Sequence, residues 1–555
     1  MRWRLLLLLP TFGLAFASVS CPWTEDAVAE PELPAQAAAP AKIVTPAKPA
    51  AAPIPEPPPP PTPIKPPPPA VIASAAPTAA PSDPALSPTL PPELVDDGSD
   101  EVKDAEPAPP PRETREVLEF ASTAKETWVF AEPHWKARRI GYLRAGAIVE
   151  RRARPAAKNA SCPEGWYRIE PRGYVCVGDK ATLNLFDPVV EASQKRPRRD
   201  GLPYTYVMSR FPPPPFYSRL PSAEEALKVE TDLKGHLRKA ARMLLEPGYV
   251  EPPPAESVPG MLLYGRSAPP LGGEKRSSAL SFGRARARSG FALLSTFDYE
   301  GRRYGLTTEL AVLPIDRTRV IKPSTFHGIK LDDDVTLPVA FVKSRHANRW
   351  VVGPGGAVTR GEPLGFREAV PLTGAQKHIS GTAYLVAKDG SLIQAEQAVR
   401  VDSFSHAPAW AAGDRKWIDV SILRQALVAY VGKKPVYATL VSTGADGIGD
   451  PKKTHSTIQG AFLIHTKHLS VTMDDDKIGD EFDFRDVPFV QYFTEGFALH
   501  AAYWHDDFGT PRSHGCVNLA PVDAAWLFNW TDPDVPPAWH GALSLRKGTL
   551  VHTHP

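Results

Sequence analysis

The sequence predicts a multidomain, mainly β chain with a long disordered spacer near its N-terminus. Three observations carry this. At 555 residues the chain is too long for one core, and its length suggests about three to four domains. Residues 21–112 are dominated by Pro and Ala, as in Pro57-Pro58-Pro59-Pro60-Pro61, a composition that cannot bury a core. From residue 113 onward, short β-branched and aromatic runs recur between turn residues, the pattern of small all-β modules.

Residues 1–20 read as an export signal. Arg2 and Arg4 precede an apolar run from Leu5 to Phe16, and Ala15-Phe16-Ala17 offers a small-x-small cleavage site. The run is too short to span a bilayer comfortably. Export places the mature chain in the periplasm or cell envelope. Cys21 follows Ser18-Val19-Ser20. Lipid attachment there stays open beside an inert thiol, because lipoprotein signals favour Leu where Ser18 stands. The Pro-rich stretch should be a semi-rigid polyproline II spacer rising about 3.1 Å per residue.

Residues 113–190 contain closely spaced strand candidates. They are Thr127 to Phe130, Arg139 to Leu143, Ala147 to Glu150, Gly165 to Ile169 and Gly173 to Val177. Cys162 and Cys176 lie in this segment and can pair in an exported protein. The order Ile-Gly-Tyr-Leu, Gly-Trp-Tyr, Gly-Tyr-Val resembles a bacterial SH3-like domain. Such domains often bind cell-wall peptides, so the resemblance implies either a docking module or a plain structural barrel.

Residues 200–410 form a β-rich accessory region of one or two modules, without recognisable chemistry. Ala223 to Leu245 has helical spacing, with Leu227, Leu233, Leu237 and Leu244 along it. Beyond Ser289 strands dominate, including Gly290 to Leu294, Val335 to Val342 and Thr382 to Val386.

Residues 415–553 hold the chemistry. Cys516 is the only cysteine after Cys176. It sits in Arg512-Ser513-His514-Gly515-Cys516-Val517-Asn518, between an apolar run ending at His500 and a helix-like segment, Pro521 to Phe528. A cysteine with histidines nearby suggests a Cys/His nucleophile site, against the alternative of a buried cysteine acting as a small hydrophobe. His500, His505, His514 and Cys516 do not have a structural zinc spacing, so neither a metal nor another cofactor is expected.

The order of segments resembles the YkuD-type L,D-transpeptidase catalytic domain. The family signature is a histidine, a loop, then Ser/Thr-His-Gly-Cys-x-Asn/Arg, read here as His500 followed by Ser513 to Asn518. Two upstream elements match as Val441 to Gly444 and Thr457 to Ile464. Ile458 stands where Pro is usual, and Ala501 where Gly or Ser is commoner. Neither departure removes a reacting group. The resemblance implies Cys516 as nucleophile, His500 as proton donor and acceptor, and the Ser513 backbone carbonyl as the group that orients His500. It implies Gly515 and Cys516 N–H groups as oxyanion donors, and Tyr492, His514 and Asn518 about the substrate. The implied partners are peptidoglycan stem peptides, with a neighbouring stem, a wall-attached protein or water as acceptor. The net charge of +2, from 64 Lys+Arg against 62 Asp+Glu, gives no electrostatic case for nucleic acid. Basic clusters such as Lys195 to Arg199 read as solvated surface.

Overall fold

A computed structural model describes residues 118–273, 279–404, 407–475, 482–494 and 496–555. The expected signal, Cys21 and the Pro-rich spacer lie outside these. Among the described residues, no helix is long and apolar enough to cross a membrane.

The C-terminal part is built from two facing sheets. The first has six strands. Its central strands are Lys434–Leu440, Ala426–Val431, Lys416–Ser421 and Leu550–His554, in that order, flanked by Ile329–Lys330 and Gly460–Leu463. Its residues Ile418, Val420, Leu427 and Ala429 pack into one core, while Trp417, Val428 and Tyr430 face another. Burial on both faces explains why Ala426–Val431 reads as an unbroken apolar run rather than an alternating one. The second sheet runs Gly541–Leu543, Thr466–Asp475, Phe482–Thr494, Phe497–Ala501, Val517–Leu519.

The helix Pro521–Trp530 starts with Pro at its first turn, where the missing N–H costs nothing. Its buried Asp523 accepts from the Tyr437 hydroxyl at 2.6 Å and from Gly328 N at 2.9 Å. At the other end the buried Lys467 ammonium donates to the Phe528 and Thr531 carbonyls at 2.6 and 2.8 Å. A donor there satisfies carbonyls that the helix leaves unpaired.

Upstream of this region one strand-pairing plan occurs three times. In the third copy Val339–Val342 pairs with Ala369–Ile379 and Ala398–Val401, and Asn348–Val352 pairs with Val358–Pro363 and Leu392–Gln394. Thr382–Ala387 joins Ala369–Ile379 to Leu392–Gln394. The second copy repeats each pairing. Thr205–Ser209 takes Gly290–Tyr299 and Thr318–Val320, Pro215–Tyr217 takes Ser281–Arg284 and Val312–Pro314, and Arg302–Thr307 joins Gly290–Tyr299 to Val312–Pro314. The first copy, from Leu118 to Thr182, has the same plan, with its fourth strand broken into Ile148–Arg151 and Ala157–Asn159. The accessory region is therefore two modules. The second and third even share their hairpin turns. Glu300-Gly301 and Ser380-Gly381 all have positive φ, 47°, 73°, 50° and 80°, as tight two-residue hairpins require.

Two expectations are corrected. The helical segment from Ala223 to Leu245 is two helices, Ala223–Val229 and Leu233–Met243. The break falls where Glu230 turns inward to Arg302 and Arg317, all three fully or almost fully buried. The strand expected over Val335 to Val342 begins only at Val339, because Pro338 has no N–H to give a ladder. Cys162 and Cys176 are joined by a disulfide.

The modules and the C-terminal sheets form continuous structure. Arg139–Leu143 of the first module pairs with Gly541–Leu543. A Cβ on Gly141 would come within 2.4 Å of the Gly541 carbonyl, so only glycine permits that approach. Nearby, Arg144 makes a bidentate ion pair with Asp486, and both are buried. Ser470 donates to the same carboxylate at 2.8 Å, and the Thr308 hydroxyl of the second module donates to its other oxygen. The hydroxyl of Tyr206 donates to the Asp486 carbonyl at 2.6 Å. Burial alone would raise the Asp486 carboxyl, but the Arg144 charge and these donors hold it well below the usual carboxylate range.

Asp486→Asn or Arg144→Met should each cost about 3–5 kcal/mol, because each strands a buried charge. Urea unfolding of the singles and of an apolar double replacement tests this. The double should cost less than the two singles summed.

Candidate active site

His500 lies on the strand Phe497–Ala501, and Cys516 immediately precedes Val517–Leu519. These strands are parallel neighbours, with Leu499 opposite Val517 and His500 opposite Asn518. Side chains two residues apart share a face. Cys516, Asn518, Ala498 and His500 therefore stand on one side of the sheet, with Cys516 diagonal to His500. Tyr492 pairs with Ala498 across the next strand boundary, which puts it in the same row. Around Cys516 the sheet is lined by Val487, Val490, Ala498, Phe484, Tyr492 and Trp504. The thiol is half-buried, outside any disulfide, and lies 3.6 Å from the Gly496 carbonyl.

The loop that carries Cys516 is tied down at every turn. Thr457 Oγ1 accepts from Gly444 N at 2.9 Å and donates to the Gly515 carbonyl at 2.7 Å. Arg512 and Ser513 N–H groups donate to the Thr443 carbonyl, and Ala445 N donates to the Ser513 carbonyl at 2.8 Å. Ser442 and Asn518 exchange backbone hydrogen bonds. Thr443 is held in turn by the buried Gln425 amide, which takes its N–H at 2.8 Å and donates to its hydroxyl at 2.6 Å. The two upstream motifs, Val441 to Gly444 and Thr457 to Ile464, are thus the grips of the cysteine loop. Gln425 was missed, since a lone Gln between strands carries no pattern.

His500 is 3% exposed. Burial pushes its pKa down to about 4, partly opposed by the Ala501 carbonyl, so the ring is neutral near pH 7. Its Nδ1 lies 3.2 Å from that carbonyl. A neutral ring donating from Nδ1 keeps its lone pair on Nε2, the form a general base needs.

The structure differs from expectation at two backbone groups. The carbonyl that orients His500 belongs to Ala501, not Ser513. The Ser513 carbonyl is engaged by Ala445, and the strand end places Ala501's carbonyl beside the ring. The Gly515 N–H is not turned outward as an oxyanion donor. It donates to Ser513 Oγ at 3.1 Å, and the same hydroxyl donates to the Cys516 carbonyl, a local side-chain turn. Gly515 is still required, because its φ is +126° and a Cβ would meet the Phe497 ring at 2.8 Å.

The other expected residues separate. Asn518 is buried against His505, its amide 2.9 Å from Nε2. Asp507 N donates to His505 Nδ1 at 3.2 Å, so the neutral ring carries its proton on Nε2. The amide is therefore read with its oxygen toward the ring. Burial lowers the His505 pKa to about 4. His505 is thus part of the site through Asn518. His514 is exposed and its ring lies against that of His455, 4.7 Å between centroids. Tyr492 packs edge-on against the half-buried His468.

The segment between His500 and Cys516 is held from outside the C-terminal sheets. Arg367 of the third module clamps Asp506 with two hydrogen bonds of 2.7 and 2.8 Å. The Tyr503 ring packs on Tyr206 of the second module, 4.3 Å between centroids. A Cβ on Gly290 would strike the Tyr503 hydroxyl at 2.0 Å.

With this geometry in hand, comparison with known proteins is specific. Residues 415–552 match the YkuD family, described as the L,D-transpeptidase catalytic domain. A Bacillus subtilis (strain 168) protein, YciB, whose name assigns it provisionally to the L,D-transpeptidases, is 25% identical over 138 residues. That match covers 20% of this chain and 59% of YciB, so the chain spans little more than half of the curated relative. Among solved structures, the L,D-transpeptidase (Yku) from Stackebrandtia nassauensis is 26% identical, covering 28% of this chain and 60% of that one, with a TM-score of 0.19. The L,D-transpeptidase from Mycobacterium smegmatis is 20% identical, covering 43% and 89%, with a TM-score of 0.21. Superpositions at these scores add nothing to the assignment, which rests on residues 415–552. The chain carries a YkuD-type L,D-transpeptidase catalytic domain at its C-terminal end.

Two buried histidines, His500 and His540, and two half-buried ones, His468 and His505, make stability depend on pH. His468, His500 and His505 have pKa values lowered to about 4, and His540 to about 3, each chiefly by burial. The unfolded chain takes up protons below about pH 6.5, whereas the folded chain does not until near pH 4. Their contribution is therefore full above pH 6.5 and is lost as pH falls toward 4, by about 1–2 kcal/mol per histidine at pH 5. Denaturant unfolding at pH 7, 6 and 5 should show the decline; a flat profile contradicts neutral burial.

Proposed function

We propose that the chain is an exported enzyme that remodels peptidoglycan stem peptides through a Cys516 thioester. The observation that supports this most is the pairing of Cys516 with His500 on one sheet face. His500 is neutral, with Nε2 as its basic nitrogen. In this reading His500 takes the thiol proton, and the thiolate attacks the carbonyl carbon of the third stem residue. The tetrahedral oxyanion needs aimed donors, and we assign the Cys516 N–H that role. Collapse breaks the C–N bond to the terminal D-Ala, whose amine leaves with the proton held by His500. An acceptor amine then attacks the thioester, loses its proton to His500 and releases the thiolate. No ATP is consumed, which suits chemistry outside the cytoplasm. The acceptor is a neighbouring stem or a wall-attached protein.

Tyr492, Trp504 and Phe484 form the apolar wall beside the thiol, and Asn518 with His505 closes the far end. His514, on the exposed rim, is suited to meet substrate rather than to hold the loop. The first module, with its resemblance to SH3-like domains, serves to dock the chain on the wall. The shared pairing plan extends that reading to the second and third modules.

The full chain should be incubated with disaccharide-tetrapeptide, and products and intact protein followed by mass spectrometry. The expected result is a transient acyl adduct and cross-linked dimer, both absent in Cys516→Ala. His500→Gln should lower turnover by about 10²–10⁴-fold. Tripeptide without dimer would make the enzyme a hydrolase. Full activity in Cys516→Ala would overturn the mechanism.

A further inference from the structure

A second cluster of reactive side chains lies away from the thiol, where Leu550–His554 pairs in parallel with Lys416–Ser421. The register sets Asp419 opposite His552 and Ser421 opposite His554. His552 and His554 are two residues apart, so both project from the same face as Asp419. His552 Nδ1 lies 2.8 Å from Asp419 Oδ1, and His554 Nε2 lies 3.1 Å from Oδ2. The three ligand atoms fall within 4.8 Å of one another.

We propose that Asp419, His552 and His554 form a binding site for a first-row divalent cation, zinc foremost. Two imidazoles and one carboxylate are a donor set suited to such ions. Zinc bonds of about 2.0–2.2 Å place neighbouring ligand atoms roughly 3.3–3.6 Å apart in a tetrahedron. The two nitrogen–oxygen separations are close to that, so a small rotation of either ring admits the ion. Both nitrogens that would bind it already converge on the carboxylate. On binding, the ion takes the place of the ring proton at each of these nitrogens; that proton moves to the ring's other nitrogen from a neutral imidazole, or is released from an imidazolium.

The surroundings favour a fixed site. The Asp419 side chain is 12% exposed, while His552 and His554 are 23% and 33% exposed, which leaves one open side for water as a further ligand. The His554 ring is also hydrogen-bonded to the Pro555 backbone, an outer contact of the kind that fixes the tautomer of a metal-bound imidazole. Trp410 covers His552, with ring centroids 5.3 Å apart. The Tyr430 hydroxyl, on the same face of the adjacent strand, is buried without a hydrogen-bond partner among the described residues. Arg424, a cation that acts on His554, is tied off by Asp402 and the Arg400 carbonyl, both at 3.0 Å.

An ion here would staple the strand Leu550–His554 to Lys416–Ser421, at the edge where the third module meets the catalytic sheets. The site would be structural rather than catalytic, since Cys516 and His500 lie on the other sheet.

The test uses untagged full chain carrying Cys21→Ala and Cys516→Ala, to remove both cysteines outside the disulfide, stripped with chelator and titrated with Zn²⁺ by calorimetry. The expected result is one equivalent bound with a micromolar Kd, and a rise in Tm of about 2–4 °C at saturating zinc. Both should be lost in His554→Gln, and in His552→Asn checked for folding by circular dichroism. Zinc binding that survives both substitutions, or that disappears only on His505→Gln, overturns the proposal. So does the absence of binding at 100-fold excess over protein.

Discussion

The buried ion pair between Arg144 and Asp486 is the constraint on which the rest of the arrangement depends. A charge pair out of water is costly unless its remaining lone pairs and protons are satisfied. Here the partners come from three parts of the chain. Arg144 belongs to the first module, Thr308 and Tyr206 to the second, and Ser470 to the catalytic hairpin. No part can move away without leaving a buried charge short of partners. The accessory modules are therefore not beads on a string but walls of the catalytic body.

That constraint reaches the chemistry through one strand. Asp486 sits in Phe482–Thr494, the strand that also carries Phe484 and Tyr492 into the wall beside Cys516. The segment between His500 and Cys516 is pinned at Tyr503 by the second module and at Asp506 by Arg367 of the third. The acyl transfer proposed for Cys516 would depend on sub-ångström placement of a base and a nucleophile. A long loop between them costs order, and the modules supply it.

The threefold pairing plan was invisible to sequence reading for a plain reason. In the second copy, residues 218–280, with two helices and further turns, are inserted between Pro215–Tyr217 and Ser281–Arg284. In the first copy the fourth strand is broken. Pairing depends on backbone hydrogen bonds, which almost any β-prone residue can make, so the copies keep one topology with little shared sequence. The matching turns at Glu300-Gly301 and Ser380-Gly381 were the available signal, because positive φ at both positions restricts residue choice.

The residues proposed to react stand out directly in the sequence. Cys516, His500 and the Gly-containing loop are chemically restricted, so they stand out in one dimension, as do the Pro-rich composition and the strands of residues 415–553. Their backbone partners do not. Any residue has a carbonyl and an N–H, and only the folded path shows that Ala501 rather than Ser513 faces His500, or that Gly515 N–H is turned to Ser513 Oγ. Long-range polar contacts were equally hidden. Asp419 meets His552 across 133 residues of sequence, and Arg144 meets Asp486 across 342. Spacing carries local chemistry, whereas strand register and module packing alone bring such distant groups within bonding distance.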